Sequence, residues 1–347
     1  MSEPTPAFPS TEIPPAMPVW VVRRPKQRYW LHALLLAITL FTTLVVGSGM
    51  QSNFLRGLPP LTPGDSLIPF FPIEQVLHHP AQMLLGIPFS ATVMLILLSH
   101  EMGHYLYCRY YQVDATLPFF IPFPSFIGTM GAFIRIRSPI RSRRALFDIG
   151  IAGPIAGFVV AMVVLVVSLC VSHAMPGWSD QPPTADALPE IVLRYPLIFH
   201  FVHRVLGAIY PAYPLAEVPL GEAALHPTAI AAWVGMFATS LNLLPGGQLD
   251  GGHIVFSIIP RAHKFISRIV ILILVPMAVY LWSGWLIWAL LLEISSMRHP
   301  NVADFPKVSG VRLGLAAFAL VMLILTMTPA PFLHASLRET VHQIRGH

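Results

Sequence analysis

Five consecutive residues, His100-Glu101-Met102-Gly103-His104, carry the most explicit chemistry in this chain. On a helix, positions i and i+4 share one face, one turn apart and roughly 6 Å along the axis. Two imidazoles so placed can hold one zinc ion, and Glu101, beside the first of them, can reach a water on the metal. In this His-Glu-x-x-His arrangement of zinc hydrolases the metal acidifies the water and polarises a carbonyl, and the carboxylate takes the proton. The residues just before the pentamer, Thr92-Val93-Met94-Leu95-Ile96-Leu97-Leu98-Ser99, are almost all apolar. Two histidines and a glutamate ending such a run are costly to place there and are expected to serve a function.

A catalytic zinc site uses three protein ligands and keeps one position open. The candidate for the third is Asp250, within Asn242-Leu243-Leu244-Pro245-Gly246-Gly247-Gln248-Leu249-Asp250-Gly251-Gly252-His253. His253 is a competing ligand in the same stretch. Pro245 and the four glycines of this segment cannot all sit in a smooth helix, so an apolar span is expected to break here. Irregular backbone at membrane depth is tolerated only where protein or a cavity surrounds it.

The elements that position these residues are membrane spans. The chain has 347 residues, 55% hydrophobic and 11% charged, with a mean hydropathy of +0.67. Soluble domains carry about 25% charged residues, so a soluble globular enzyme is excluded, as is disorder for the bulk of the chain. The net charge of +5 is spread over short clusters between apolar runs, which is the pattern of loops at an anionic lipid bilayer. No nucleic-acid partner is expected. Cys108 and Cys170 make no metal-ligand spacing. Apolar runs of about 20 residues, enough to span a bilayer, lie near 30–50, 85–108, 146–173, 228–245, 266–282 and 311–329. A shorter one near 284–297 is a possible seventh, entered through a turn at Trp282-Ser283-Gly284-Trp285 with interfacial tryptophans.

Residues 1–29 form a Pro-rich tail in which seven prolines forbid a regular helix. A cleaved signal peptide is the competing reading, but the tail is long for one and no Ala-x-Ala site follows, so a retained membrane helix is expected. Arg23, Arg24, Lys26 and Arg28 precede the first span. Arg135, Arg137, Arg141, Arg143 and Arg144 follow the second. This alternation places the N-terminus in the cytoplasm. Seven spans put the C-terminus outside and six put it inside. The connection 174–227 contains an interrupted apolar stretch, Ile191 to Tyr210, expected as an interfacial or re-entrant helix rather than part of a separate domain.

With these motifs in view, the sequence resembles the site-2 protease family of intramembrane zinc metalloproteases. His100-Glu101-Met102-Gly103-His104 is similar to the family's zinc helix. Asn242-Leu243-Leu244-Pro245 with Leu249-Asp250-Gly251-Gly252 is similar to its second signature. Leu146-Phe147-Asp148-Ile149-Gly150 and Ala152-Gly153-Pro154-Ile155-Ala156-Gly157 also resemble family sequence. The resemblance covers about 85–265 and implies a three-helix zinc-protease core. It implies one Zn2+ per chain held by His100, His104 and Asp250, with Glu101 as general base. It implies too that Asn242 lines the cleft, helping to hold substrate or the developing oxyanion. No stretch resembles the PDZ domain of many members.

The expected fold is an all-α polytopic membrane protein of six to seven transmembrane helices around that core. Its divisions are the cytoplasmic tail 1–29, a first span with outer loop 30–84, the metalloprotease core 85–265 and additional spans with a C-terminal tail 266–347. The expected partner is a transmembrane protein substrate, and the active site faces the cytoplasmic side. The rival functions are a membrane metal transporter, which needs ligands spread along the bundle, and a zinc hydrolase of a non-protein membrane substrate.

Residues 126–137 add one further element. Gly128 and Gly131 punctuate the segment, and Phe133 to Arg137 alternate strictly, which reads as strand or hairpin. A helical peptide hides its amides, so a protease must unwind it, and an open strand edge around Gly131, Ala132 and Phe133 can hold the extended substrate. The resemblance also implies a membrane-embedded hairpin here. Gly153 and Gly157, four apart, are expected to let a neighbouring helix approach.

Overall fold

The computed structural model describes residues 28–63, 68, 70–175, 191–296, 306–333 and 335–345. Residues 1–27 of the Pro-rich tail lie outside the described residues. The chain is mostly helical. A long helix α1 (Tyr29–Leu55) leads through a short α2 (Ile73–His78) and a 3-10 turn to α3 (Ile87–Tyr110). A hairpin of β1 (Phe119–Pro122) and β2 (Thr129–Phe133) follows, then α4 (Arg143–Cys170). The connection after α4 holds β3 (His173–Ala174), α5 (Leu197–Ile209) and β4 (Ala223–Ala224). Then come α6 (Pro227–Asn242), α7 (Asp250–Ile258), α8 (Pro260–Tyr280), α9 (Trp285–Ser296), α10 (Val311–Thr326) and α11 (Leu337–Arg345).

Four helical segments are long and apolar enough to cross a membrane: Tyr29–Leu55, Pro80–Tyr110, Arg143–Cys170 and Pro260–Tyr280. Their sequences show how. The hydroxyls of Thr39 and Thr43 in α1 donate to the carbonyls of Leu35 and Thr39, so neither hydroxyl is left bare in an apolar helix. Helix α4 starts where the Ser142 hydroxyl accepts from the Ala145 amide at 3.2 Å, an ordinary N-cap. Its outer face exposes Val159, Val163, Val166 and Val167, an apolar stripe at helical spacing suited to lipid contact. Helices α5, α9 and α10 are apolar but shorter.

Helices α3, α4 and α6 pack on one another at the centre of the molecule. Phe89, Val93 and Ile96 of α3, Leu165 and Leu169 of α4, and Ala231, Trp233 and Met236 of α6 share one buried cluster. The contact of α3 with α6 is close enough that a Cβ on Gly235 would meet the Ile96 side chain at 2.5 Å. The connection 174–227 joins the same cluster through Ile198, Phe199, Val202 and Leu206 of α5. Strands β3 and β4 close its ends by pairing His173 with Ala224.

Two details differ from the sequence reading. The hairpin ladder lies earlier than the alternating run. It pairs Phe119 with Phe133, Phe120 with Ala132 and Pro122 with Thr129, and beyond Phe133 only an isolated bridge joins Ala115 to Ile136. Pro118, which faces that gap, has no N–H to donate to the ladder. Trp285 is not an interfacial anchor. It is fully buried, and its indole N–H donates to the Pro329 carbonyl at 2.7 Å. The turn at Trp282 is therefore held by packing against the segment after α10.

Candidate active site

The zinc-type pentamer lies in the second half of α3, and His100, Glu101 and His104 are all buried. The expected break in the fourth apolar run is present: α6 ends at Asn242, and α7 begins at Asp250 after an irregular segment. Gly251 and Gly252 make that geometry feasible. A Cβ on Gly251 would lie 2.1 Å from the Leu243 carbonyl oxygen, and one on Gly252 would lie 2.5 Å from that of Gly247. The start of α7 thus abuts the end of α6 directly. Helix α8 fastens the loop from behind, with the Gly247 amide donating to the Ser267 hydroxyl at 3.2 Å and the His263 Nε2 3.1 Å from the Gly247 carbonyl.

These elements bring three ligand atoms together. His100 Nε2 lies 3.2 Å from His104 Nε2. The Oδ2 of Asp250 lies 3.3 Å from each. Four ligands at zinc bond lengths sit about 3.3 Å apart at the corners of a tetrahedron. The three atoms therefore match one face of a zinc tetrahedron, and two imidazoles with one carboxylate are a fitting donor set that leaves the fourth corner open. The His104 Nδ1 donates to the Ile149 carbonyl at 2.7 Å, which fixes the tautomer with the Nε2 lone pair turned to the other two ligands. Among the described residues, His100, His104 and Asp250 are the one group of this kind. His253 lines the same cleft but does not join them.

The glycines of α4 have a more specific place than general helix packing. A Cβ on Gly153 would sit 2.1 Å from the His104 Nε2, and one on Gly157 would sit 3.1 Å from the His100 Cβ. Both glycines make room for the histidines themselves. The pentamer's own Gly103 faces the Ala152 carbonyl, where a Cβ would come within 2.5 Å. Sequence inspection missed the Ile149 carbonyl as a ligand orienter, since any residue supplies a carbonyl.

Glu101, Asn242, Ala132 and Phe133 line the same open cleft as the three ligands. The Asn242 Nδ2 lies 3.4 Å from the His100 Nε2, at the edge of the cluster. The Glu101 carboxylate has the backbone amide of Ile134 as a neighbour, just past the end of β2. Gly131 is in β2 at φ +105°, a conformation that favours glycine, but it is not among the residues lining the cleft. The β1–β2 sheet has two strands, which leaves β2 with an open edge. On its other side α1 holds the hairpin: Thr42 donates to the Gly128 carbonyl at 2.6 Å, and His32 stacks on Phe119 at 3.9 Å.

Fold and site together define an apolar, helical, membrane-type protein with two histidines and an aspartate placed so that they could hold a metal ion. The family model described as peptidase family M50 matches residues 88–282, more than half of the chain. The chain belongs to this family, that of the site-2 proteases. It is 32% identical to the probable zinc metalloprotease EGY1, chloroplastic, of Oryza sativa subsp. japonica, over 65% of this chain and 37% of that protein. The Arabidopsis thaliana protein of the same name is 28% identical over 86% of this chain and 53% of its own length. The Arabidopsis EGY2 protein, also a probable chloroplastic zinc metalloprotease, is 31% identical over 59% and 33%. The chain thus spans between a third and about half of the curated relatives it matches.

Proposed function

We propose that this protein is an intramembrane zinc metalloendopeptidase that hydrolyses peptide bonds within or near transmembrane segments of other membrane proteins. The observation that carries the reading is the ligand triangle of His100, His104 and Asp250 in one cleft with Glu101 and the end of an open strand. Ligands gathered at one point, rather than spread along the bundle, suit a hydrolase better than a transport path.

Bound zinc supplies a Lewis acid that polarises the scissile carbonyl and acidifies water. His100, His104 and Asp250 hold it, and the Ile149 carbonyl keeps the His104 ring in register. The Glu101 carboxylate takes the proton of the attacking water and delivers it to the leaving amide nitrogen. Asn242 offers its side-chain N–H to the substrate carbonyl oxygen as negative charge develops there. An unwound substrate pairs with the open edge of β2 beside Ala132 and Phe133.

The same proposal includes the topology. The N-terminus is cytoplasmic, α3 runs inward, and the arginines that follow it hold its end at the cytoplasmic surface. The shorter helices α9 and α10 complete a count of six to seven spans. Residues 1–29 are the tail, 30–84 the first helix and outer loop, 85–265 the protease core and 266–347 the additional helices.

Purified protein is expected to hold about one zinc per chain. His100→Ala, His104→Ala and Asp250→Ala each weaken retention, as metal analysis after chelator treatment measures. Full occupancy in Asp250→Ala would move the third ligand to another residue, with His253 the nearest alternative in sequence. The function itself is tested with a panel of single-span proteins in detergent, with Glu101→Gln protein as the blank. Cuts are expected in the cytoplasmic half of the substrate span, at a segment that unwinds readily. Gly and Pro disfavour helix by about 1 and 3 kcal/mol, so replacing them by Leu in that segment slows cleavage without changing insertion. Fragments cut consistently in the outer half would overturn the orientation.

A further inference from the structure

Helix α10 lies outside the stretch 88–282 matched by the family model, yet it packs against α4, one of the helices that form the site. Arg312, in its first turn, forms a two-pronged ion pair with Asp148 of α4. Its Nε is 2.8 Å from Oδ1 and its Nη2 is 2.7 Å from Oδ2. Asp148 is buried, while the Arg312 side chain is about one-third exposed. The Tyr111 hydroxyl donates to the same carboxylate. Tyr111 is the C-cap of α3, the helix carrying His100, Glu101 and His104. One buried carboxylate therefore ties together the end of the zinc helix, the second turn of α4 and the start of α10. A second bond joins α4 to the segment just before α10, from the Arg144 Nε to the Lys307 carbonyl at 3.1 Å.

The position of that knot matters because the next residue of α4 is Ile149. Its carbonyl receives the His104 Nδ1 at 2.7 Å. A rotation or retreat of this turn moves the acceptor that orients a ligand ring. Gly153, one turn further along α4, lies against the same ring, so the ring has no slack to follow such a shift. A guanidinium with two parallel bonds fixes both the distance and the angle of its carboxylate, which a lysine cannot do. Removing it would leave a buried carboxylate with the Tyr111 hydroxyl alone, a state costly enough to displace the turn.

We infer that Arg312 is a positioning residue for the metal centre: by clamping Asp148 it fixes the turn of α4 whose Ile149 carbonyl holds the His104 ring. This rests on the reading of His100, His104 and Asp250 as zinc ligands. The family core is then completed by a residue that the extra helix α10 supplies.

The test uses the full chain in detergent, with Arg312→Ala and Arg312→Lys beside the parent. Three quantities are read: zinc release to a competing chelator, the visible spectrum of the cobalt(II)-loaded protein, and kcat and KM per folded, metal-loaded chain. Arg312→Ala is expected to release zinc roughly ten-fold faster and to lose kcat by a similar factor at unchanged KM, the scale of outer-partner substitutions at metal sites. Its cobalt spectrum shifts. Arg312→Lys, which keeps the charge, is expected to melt near the parent and still show faster release. Should Arg312→Ala fail to fold, the lysine variant decides alone. Variants that release zinc at the parental rate with the parental cobalt spectrum would overturn the inference, whatever their melting temperature. The zinc content of the parent tests the metal reading separately, so failure of one is distinguishable from failure of the other.

Discussion

Glu101→Gln is expected to bind zinc as the parent does and to lose peptide-bond cleavage by at least about 100-fold. The two halves of this expectation rest on different features. Zinc retention depends on the triangle of His100, His104 and Asp250, with edges of 3.2 and 3.3 Å, of which Glu101 is not a corner. Glutamine has nearly the same shape, and its carbonyl oxygen still accepts from the neighbouring Ile134 amide, so the cleft keeps its form. What disappears is the capacity to take a proton from water and return it to the leaving nitrogen. A 100-fold loss corresponds to about 2.7 kcal/mol of transition-state stabilisation. The measurement is turnover of a single-span substrate at matched zinc content. Near-parental turnover would reject Glu101 as the base. Loss of zinc together with turnover would instead show that the residue supports the metal.

Much of this site is legible from sequence because its information is local. The spacing of His100 and His104 fixes their shared helix face, and Glu101 comes with them. The crowd of Pro and Gly from Pro245 to Gly252 announces the break that delivers Asp250. The hairpin is announced by Gly128 and Gly131, and its ladder is displaced from the alternating run by Pro118 on the facing strand. Alternation shows that a segment can be a strand; the partner's missing N–H decides which residues pair. The burial of Trp285 depends on the Pro329 carbonyl, 44 residues away in the chain. The Asp148–Arg312 clamp spans 164 residues, and nothing in the neighbourhood of either residue foretells the other. An arginine at the start of an apolar run reads equally well as a membrane-surface anchor.

Gly153→Ala is the substitution expected to damage the metal centre most for the fewest added atoms. The new Cβ would lie 2.1 Å from the His104 Nε2, 2.4 Å from its Cε1 and 2.5 Å from its Cδ2. These are distances that packed atoms do not tolerate, so either the ring turns or α4 withdraws. Turning the ring breaks its bond to the Ile149 carbonyl and swings the Nε2 out of the ligand triangle. Withdrawal of α4 is opposed by the Arg312 clamp and would open the close α3–α4 contact between Gly103 and Ala152. Either route weakens zinc retention, by about 100-fold, the upper end of what loss of a ligand's orienting partner costs. Gly157→Ala is a graded comparison. Its Cβ meets the His100 Cβ and Nδ1 at 3.1 and 3.2 Å, which a shift of a few tenths of an ångström relieves, so its loss is several-fold smaller. Gly314→Ala in α10 meets nothing within 4 Å and serves as the control, neutral or slightly stabilising because alanine favours helix by about 1 kcal/mol. The measurement is chelator competition on the three folded variants. An order of loss from Gly153 to Gly157 to Gly314 follows from the ring contacts. Equal, small effects at Gly153 and Gly157 would mean that these glycines serve helix packing alone and that the histidines have room to spare.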